Sequence, residues 1–533
     1  MARRLLIRCA GGFFSMAQSN ATIVKPTLGL TGVTMNAMAL IAPGAFLWTT
    51  FQLQAAATAP DGSSVAGDIW FGIVAALTVA FLTALSYAEL ARVYPEAGFG
   101  SCYYFAEKAF LDREDARHHR FARLAKLVTG WAAHLFYWVY PGCMVAFMAT
   151  LVGYIYQQVT GDTLSVTSLV IVAVVFAILA GYIAVRGVTG STLTSVVINV
   201  VQLVTLVAFS CLAIYYRWTN PSGATAWSFT SAVDVIRPHS VQGVLVQSTI
   251  AILILVGFES CTAFAAETKN PHKNIPRAVV LSLAVQGLLA YLFEYFAAGF
   301  MVSEKLVATD ASGATVTGMA AAAASSAPLG DMAVLVGNSV LGGLGFGLMI
   351  TIAVTVALAL LGTTLSCLNT AVRVSYAMAQ DREMPELLGV MHGRFATPHR
   401  AVWVLVGVSS VIAAIGVQSV VGLTGIALAS NFGTFVLYAL TCVWTILAFT
   451  ERKDHHPIKH KVIPALGLLA NLAMLAAIIY LYVVGNDDAR HEAYICFAIA
   501  GGWALVSAIY VVMNSAREGR AILHQPSRPS RAA

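Results

Sequence analysis

Charge is what this sequence of 533 residues has least of. Asp, Glu, Lys and Arg together make up 11%, where a soluble domain carries about a quarter, and hydrophobic residues take 58%. That shortage excludes a soluble globular protein. Also missing are a C-x-x-C pair, a His-Cys-carboxylate set at metal-ligand spacing, a nucleophile elbow and a phosphate-cradling glycine loop, which argues against an enzyme and against a bound cofactor or metal. Gly98-Phe99-Gly100 comes nearest to a glycine loop and lacks the strand before it. No carbonyl filter or repeated polar lining suggests a channel. The eight cysteines, Cys9, Cys102, Cys143, Cys211, Cys261, Cys367, Cys442 and Cys496, fall mostly inside apolar runs and read as reduced packing residues. The net charge of +6 is scattered between those runs, as membrane topology requires, and does not call for a nucleic-acid partner.

What is present is a series of apolar runs. Crossing a hydrocarbon core about 30 Å thick takes about 20 residues, and runs of that kind recur from residue 28 to residue 514. Read between polar breaks, they predict an all-α membrane protein of twelve spans, at 28–57, 67–91, 124–157, 165–184, 190–216, 241–267, 276–302, 344–379, 401–420, 423–449, 463–484 and 493–514. Residues 1–27 and 515–533 are expected to be tails. With the N-terminus inside, all but four of the 31 Lys and Arg fall on the inner side; the exceptions are Arg217, Arg237, Lys305 and Arg490. Positive charge resists translocation, so both termini are predicted to be cytoplasmic in a multi-pass inner-membrane protein. Arginines at 3, 4 and 8 are not followed by an adequate apolar core, so no cleaved signal is expected. The loop 303–343, rich in Ala, Gly and Ser, reads as a connector, with a short surface helix over Met319–Ser326 as the alternative.

Two spans carry helix breakers at their middles. The first contains Ile41-Ala42-Pro43-Gly44-Ala45, where Pro43 lacks a donor and Gly44 eases unwinding. The sixth contains Val256-Gly257-Phe258-Glu259-Ser260. In hydrocarbon, broken backbone survives only where it lines a protected cavity. Breaks five spans apart predict two inverted five-helix repeats, about 28–216 and 241–449, with 463–514 as two additional helices. Such breaks expose N–H groups of one half-helix and C=O groups of the other, which suits a zwitterion: carboxylate at the donor end in the first span, ammonium at the acceptor end in the sixth. An ordinary proline kink with a packing glycine is the alternative for either span alone.

Three stretches in order resemble a known family. Tyr87-Ala88-Glu89-Leu90-Ala91-Arg92-Val93-Tyr94-Pro95-Glu96-Ala97-Gly98 follows the second span. Gly257-Phe258-Glu259, Glu267-Thr268-Lys269-Asn270-Pro271 and Ile275-Pro276-Arg277 surround the end of the sixth. Arg373-Val374-Ser375-Tyr376-Ala377-Met378-Ala379, with Asp381, Pro385 and Thr397-Pro398, follows the eighth. Together they resemble the amino acid-polyamine-organocation superfamily of permeases over nearly all of 28–514. The resemblance implies a leucine-transporter-like fold, a substrate site at backbone 41–45 and 256–259, and alternating access by rocking of spans 1, 2, 6 and 7 against 3, 4, 8 and 9. Some relatives use a lysine in the fifth span for proton coupling; aligning Arg186-Gly187-Val188 places Gln202 there. Leu253 stands where relatives that stack a guanidinium have tryptophan, which speaks against an arginine-agmatine exchanger.

The substrate-binding candidates are therefore Ile41, Ala42, Gly44, Ala45, Tyr137, Tyr140, Val256, Gly257, Phe258 and Glu259. Glu259, a carboxylate near mid-membrane, is the candidate for gating or proton sensing; the alternative is a protonated acid that only caps broken backbone. Glu294 could bind a cationic amine or carry a coupling proton, against a structural acid bonded to neighbouring tyrosines. His134, Tyr137, Tyr140 and Met144 share one face of the third span and could wall the cavity or simply pack. A proton is the expected coupling ion, with sodium, at Thr363, Thr364 and Ser366, the lesser alternative. Arg373 is expected near Asp381 and Lys269 near Glu267. The sequence thus reads as a secondary transporter of an amino acid or a related small amine or polyamine, the alternative being a transporter-like nutrient sensor that binds without moving its ligand.

Overall fold

The computed structural model describes residues 26–95, 101–114, 116–186, 192–219, 229–310, 312–395 and 397–518. The first predicted span is two helices, α1 (Leu30–Ile41) and α2 (Pro43–Ala56). There follow α3 (Ile69–Val93), α4 (Cys102–Leu111), α5 (Ala122–Thr160), α6 (Val166–Val185), α7 (Thr192–Thr219) and α8 (Phe229–Ile236). The sixth span opens as α9 (Val241–Ala251), passes through Ile252–Ile254 and resumes as a tighter 3₁₀ helix over Phe258–Glu267. The seventh is α10 (Pro271–Leu283), a π-helical segment Ala284–Tyr291, and α11 (Leu292–Met301). After a small antiparallel hairpin of β1 (Val307–Thr309) and β2 (Thr315–Thr317) come α12 (Gly318–Ala324), α13 (Pro328–Val340), α14 (Gly345–Gln380), α15 (His399–Gly416), α16 (Val420–Phe449), α17 (Ile463–Val484) and α18 (Asp487–Glu518).

Among the described residues, eleven helical stretches are long and apolar enough to cross a membrane, and the split pair α1–α2 stands before the first of them. The chain is a multi-pass membrane protein. Its central column is α5, whose apolar window is 89% buried, with α14, α15 and α16 packed around it. The last helix lies at the other extreme. Only 11% of the α18 window is buried, so α18 packs on α16 and leaves Leu505, Val506, Ile509 and Val512 exposed, a surface that suits lipid rather than water.

The region 303–343 is not a plain connector. Helix α12 forms over nearly the stretch anticipated, yet Ala321 and Ala322 are buried and the helix packs on α2, so it is not a surface helix. Helix α13 was not anticipated. Pro328 starts it at the first turn, where a missing N–H costs nothing, and Leu329, Met332, Ala333 and Val336 form a helically spaced buried face. Small residues that resemble a linker in composition are what allow these two helices to lie close to their neighbours. The predicted tails fall mostly outside the described residues, as does Gly98-Phe99-Gly100.

Candidate functional site

The first break is set by Pro43. Its ring disfavours the right-handed helical region at the residue before it, and Ala42 takes a left-handed conformation instead, φ 33° and ψ 75°. The carbonyls that end α1 then lack helical donors, and other elements supply them. Met38 O accepts from the Ala42 N–H at 3.0 Å and from Gln286 Nε2 at 2.9 Å. Ala39 O accepts from Thr363 Oγ1 at 3.0 Å, Leu40 O from the Tyr140 hydroxyl at 3.3 Å and Ile41 O from the Tyr291 hydroxyl at 2.6 Å. Every carbonyl in the last turn of α1 is therefore held by a side chain from α5, α14 or the π-helical segment. The donor end differs: Pro43 has no N–H, and the first turn of α2, which includes Gly44 and Ala45, has no helical acceptors of its own.

The second break is set by Gly257, with φ 126°, a value that L side chains rarely adopt. A Cβ there would also lie 2.8 Å from Leu40 Cβ, so the two breaks touch. The ladder of the sixth span stops at the Val256 N–H, which reaches Ile252 O at 3.2 Å. The next donor, the Gly257 N–H, goes to Glu259 Oε2 at 3.0 Å. That oxygen also accepts the Tyr438 hydroxyl at 2.9 Å, and Oε1 accepts the Tyr137 hydroxyl at 3.3 Å. Glu259 is wholly buried, as are Ile41, Ala42, Val256 and Phe258. Tyr438 packs against Phe258 with ring centroids 5.3 Å apart. The structure thus brings the predicted residues of the first, third and sixth spans together; the side chains of residues 43–46 lie outside those described.

The face of α5 divides its labour. Tyr137 and Tyr140 point to the breaks, whereas His134 is satisfied by Gly130 O at 2.7 Å and Ser375 Oγ at 2.8 Å, away from them. Met144 is buried. Thr363 and Thr364 bond carbonyls of their own helix, at Ala359 and Leu360. Glu294 is fully buried, and neither of its oxygens has a hydrogen-bond partner among the described residues. Its tyrosine neighbours are committed elsewhere, Tyr291 to Ile41 and Tyr295 to Thr50 Oγ1 at 2.6 Å, so the structure does not contain a tyrosine-bonded acid here. Sequence reasoning did not place Tyr438, Tyr291 or Gln286 at the site. The available signal was a hydroxyl or amide stranded mid-span, which needs a partner in hydrocarbon.

The family model for amino acid permeases matches residues 27–505. The chain belongs to this amino acid permease family. The permease is similar to the methylthioribose transporter of Bacillus subtilis, 26% identical over 447 residues that cover 83% of this chain and 85% of that one. It is also similar to the branched-chain amino acid permease BcaP of the same organism, 23% identical over 86% of this chain and 89% of the relative. A partial match joins it to the low-affinity putrescine importer PlaP of Escherichia coli, 24% identical over 51% of this chain and 54% of that one. Family and relatives are permeases and transporters, not enzymes.

At the end of the permease where its basic residues cluster, ion pairs tie the loops together. Arg373 pairs with Glu267 at 2.8 Å rather than with Asp381 and lies 4.0 Å over the Phe264 ring. This fastens α14 to the end of the sixth span, which also pairs with the chain before α1 through Thr27, Leu28 and Lys269. Asp381 pairs instead with Lys126 at 2.8 Å. Lys126 reaches Glu107 at 2.9 Å as well. The unanticipated helix α4, which carries Glu107, is what brings in this second acid.

Proposed function

We propose that this permease is a secondary active transporter of an amino acid or a related small amine, working by alternating access with its substrate held where the first and sixth spans are interrupted. The observation that carries the reading is the contact of the two breaks, Gly257 against Leu40, with a buried carboxylate spanning the gap in the backbone. The donors at the start of α2 take the substrate carboxylate, and the acceptor end of the sixth-span break takes the ammonium. The carbonyls ending α1 are already held by Gln286, Thr363, Tyr140 and Tyr291, which leaves the sixth span as the place for the amine. Glu259 serves as gate and protonation sensor, because an acid that caps the broken backbone must exchange bonds whenever that backbone moves.

The split first span and the eleven helices after it are taken as twelve spans, five and five in inverted repeats with α17 and α18 outside them. The basic end is the cytoplasmic one, and both termini lie there, in the cell's inner membrane. The names of the relatives, which include a branched-chain amino acid permease and a putrescine importer, support the class of cargo. A thermal-shift screen of amino acids and amines on purified protein is the first test, since a ligand of the folded state raises its stability by mass action. Uptake of the hits into proteoliposomes is the second. Binding without uptake would convert the reading into that of a nutrient sensor.

A further inference from the structure

Glu294 is a carboxyl buried in the membrane-spanning part of the molecule, with no hydrogen bond and no cation to meet it among the described residues. Around it, α2 contributes no ionisable side chain. From α7 come Tyr216 and Arg217, buried near its far end; α3 meets this segment at its start, where Trp70 Nε1 donates to Leu292 O at 2.9 Å, just after the buried Asp68, which takes the N–H groups of His239 and Ser240, while Tyr87, Glu89 and Arg92 lie toward the opposite end of α3. From α8 comes Asp234, paired with Arg237 at 3.0 Å, and from α13 Asp331, which takes the Tyr154 hydroxyl at 2.7 Å. None of these bonds to Glu294. An isolated carboxylate in such a place costs many kcal/mol, whereas the neutral acid costs only the loss of its hydrogen bonds to water. The group is therefore held here as the acid. An alkali cation would need a shell of several oxygen ligands, whereas the hydroxyls on the neighbouring turns, Tyr291 and Tyr295, are positioned on the two halves of the first span, at Ile41 and Thr50. A proton needs only the carboxyl itself.

The segment that carries Glu294 also straddles the first break. Gln286 and Tyr291 hold the end of α1, at Met38 O and Ile41 O, while Tyr295 holds α2 through Thr50. Residues 291, 294 and 295 share one helical face at the end of a π-helical stretch, an element that recurs at functional sites. Ionising Glu294 requires water, and water reaches it only if this clamp on the two halves of the first span lets go. We propose that Glu294 is the proton-carrying site of the transport cycle, neutral while the clamp is closed as in this structure and ionised when the spans part. The proton leaves to water and returns from water on the other side, with no other bond made or broken. The coupling half of this inference rests on the transporter reading; the protonation half does not.

The test uses the full chain reconstituted in lipid. Infrared difference spectra taken between acid and alkaline pH should show a protonated-carboxyl stretch at the high-frequency end that marks an acid without hydrogen bonds, unlike the bonded Glu259. The band should vanish in Glu294→Gln and persist in Glu294→Asp, which also controls for folding. In proteoliposomes given leucine or putrescine as probe, a pH gradient should drive accumulation in the wild type, and in Glu294→Gln the ratio should fall to unity. A wild type without the band, or Glu294→Gln that keeps it, overturns the protonation site. Undiminished gradient-driven accumulation in Glu294→Gln overturns the coupling role. If neither probe enters wild-type vesicles, the transporter reading suffers, and the infrared band still decides the site.

Discussion

The Tyr291 hydroxyl donates to the carbonyl oxygen of Ile41 at 2.6 Å, across the point where the first span comes apart. It is the shortest of the four side-chain bonds that end α1. It joins that helix to the segment on which the buried acid Glu294 sits.

Removing that hydroxyl should loosen α1. In Tyr291→Phe the Ile41 carbonyl is left buried without a donor, a loss of about 1–3 kcal/mol. The penalty falls on the closed arrangement, so hydrogen exchange across residues 30–41 should quicken relative to the wild type, with the rest of the molecule little changed. Exchange in that stretch at the wild-type rate would mean that Tyr291 fills space and no more.

Much of this arrangement is legible in the residues. Pro43 and Gly257 announce both breaks, because one residue lacks a donor and the other tolerates a conformation closed to the rest. The face of α5 announces Tyr137 and Tyr140 by helical spacing. What the residues do not announce is who completes the bonds. Tyr438 and Gln286 look like isolated polar residues in apolar runs until packing sets them against Glu259 and Met38. The partner of Arg373 is Glu267, distant in sequence, because Asp381 lies eight residues further along the same helix, about 12 Å away, where it pairs with Lys126, which also holds Glu107 of α4. Helix α13 was hidden in the same way, by small residues whose composition resembles a linker and whose spacing is helical.

Glu259→Gln keeps one acceptor oxygen for the Gly257 N–H and the Tyr438 hydroxyl and turns an amide NH2 toward the Tyr137 hydroxyl oxygen, so the cap on the sixth-span break survives while the exchangeable proton is lost. Uptake should fall by about tenfold or more, the equivalent of about 1.4 kcal/mol, and its pH dependence should flatten, while the variant still purifies as a folded protein. Wild-type uptake with the wild-type pH profile would reduce Glu259 to a dispensable packing residue.

The last prediction concerns the basic end and a proton that geometry requires. The Tyr103 hydroxyl lies 2.9 Å from Asp381 Oδ2 and 2.8 Å from Glu383 Oε2. It has one hydrogen to give, so one of the two carboxyls must donate back to it. Asp381 has Lys126 at 2.8 Å. Glu383 meets Arg123 only at 3.4 Å, and burial pushes its carboxyl up to about 7 from the ordinary 4.5, against the pull of Lys126, Tyr103 and Arg123. An acid that holds its proton more tightly when folded than when unfolded stabilises the fold at low pH. That stability drains away between the two values, here from about 4.5 to about 7, and is gone above the upper one. The full effect is on the order of 3 kcal/mol. The melting temperature of the purified permease should therefore contain a component that declines over that window and levels off beyond it, and Glu383→Gln, a fixed neutral mimic that can still donate to Tyr103, should lack that component and be the more stable protein at neutral pH. Parallel pH profiles for the two proteins would place the shared proton elsewhere in the cluster.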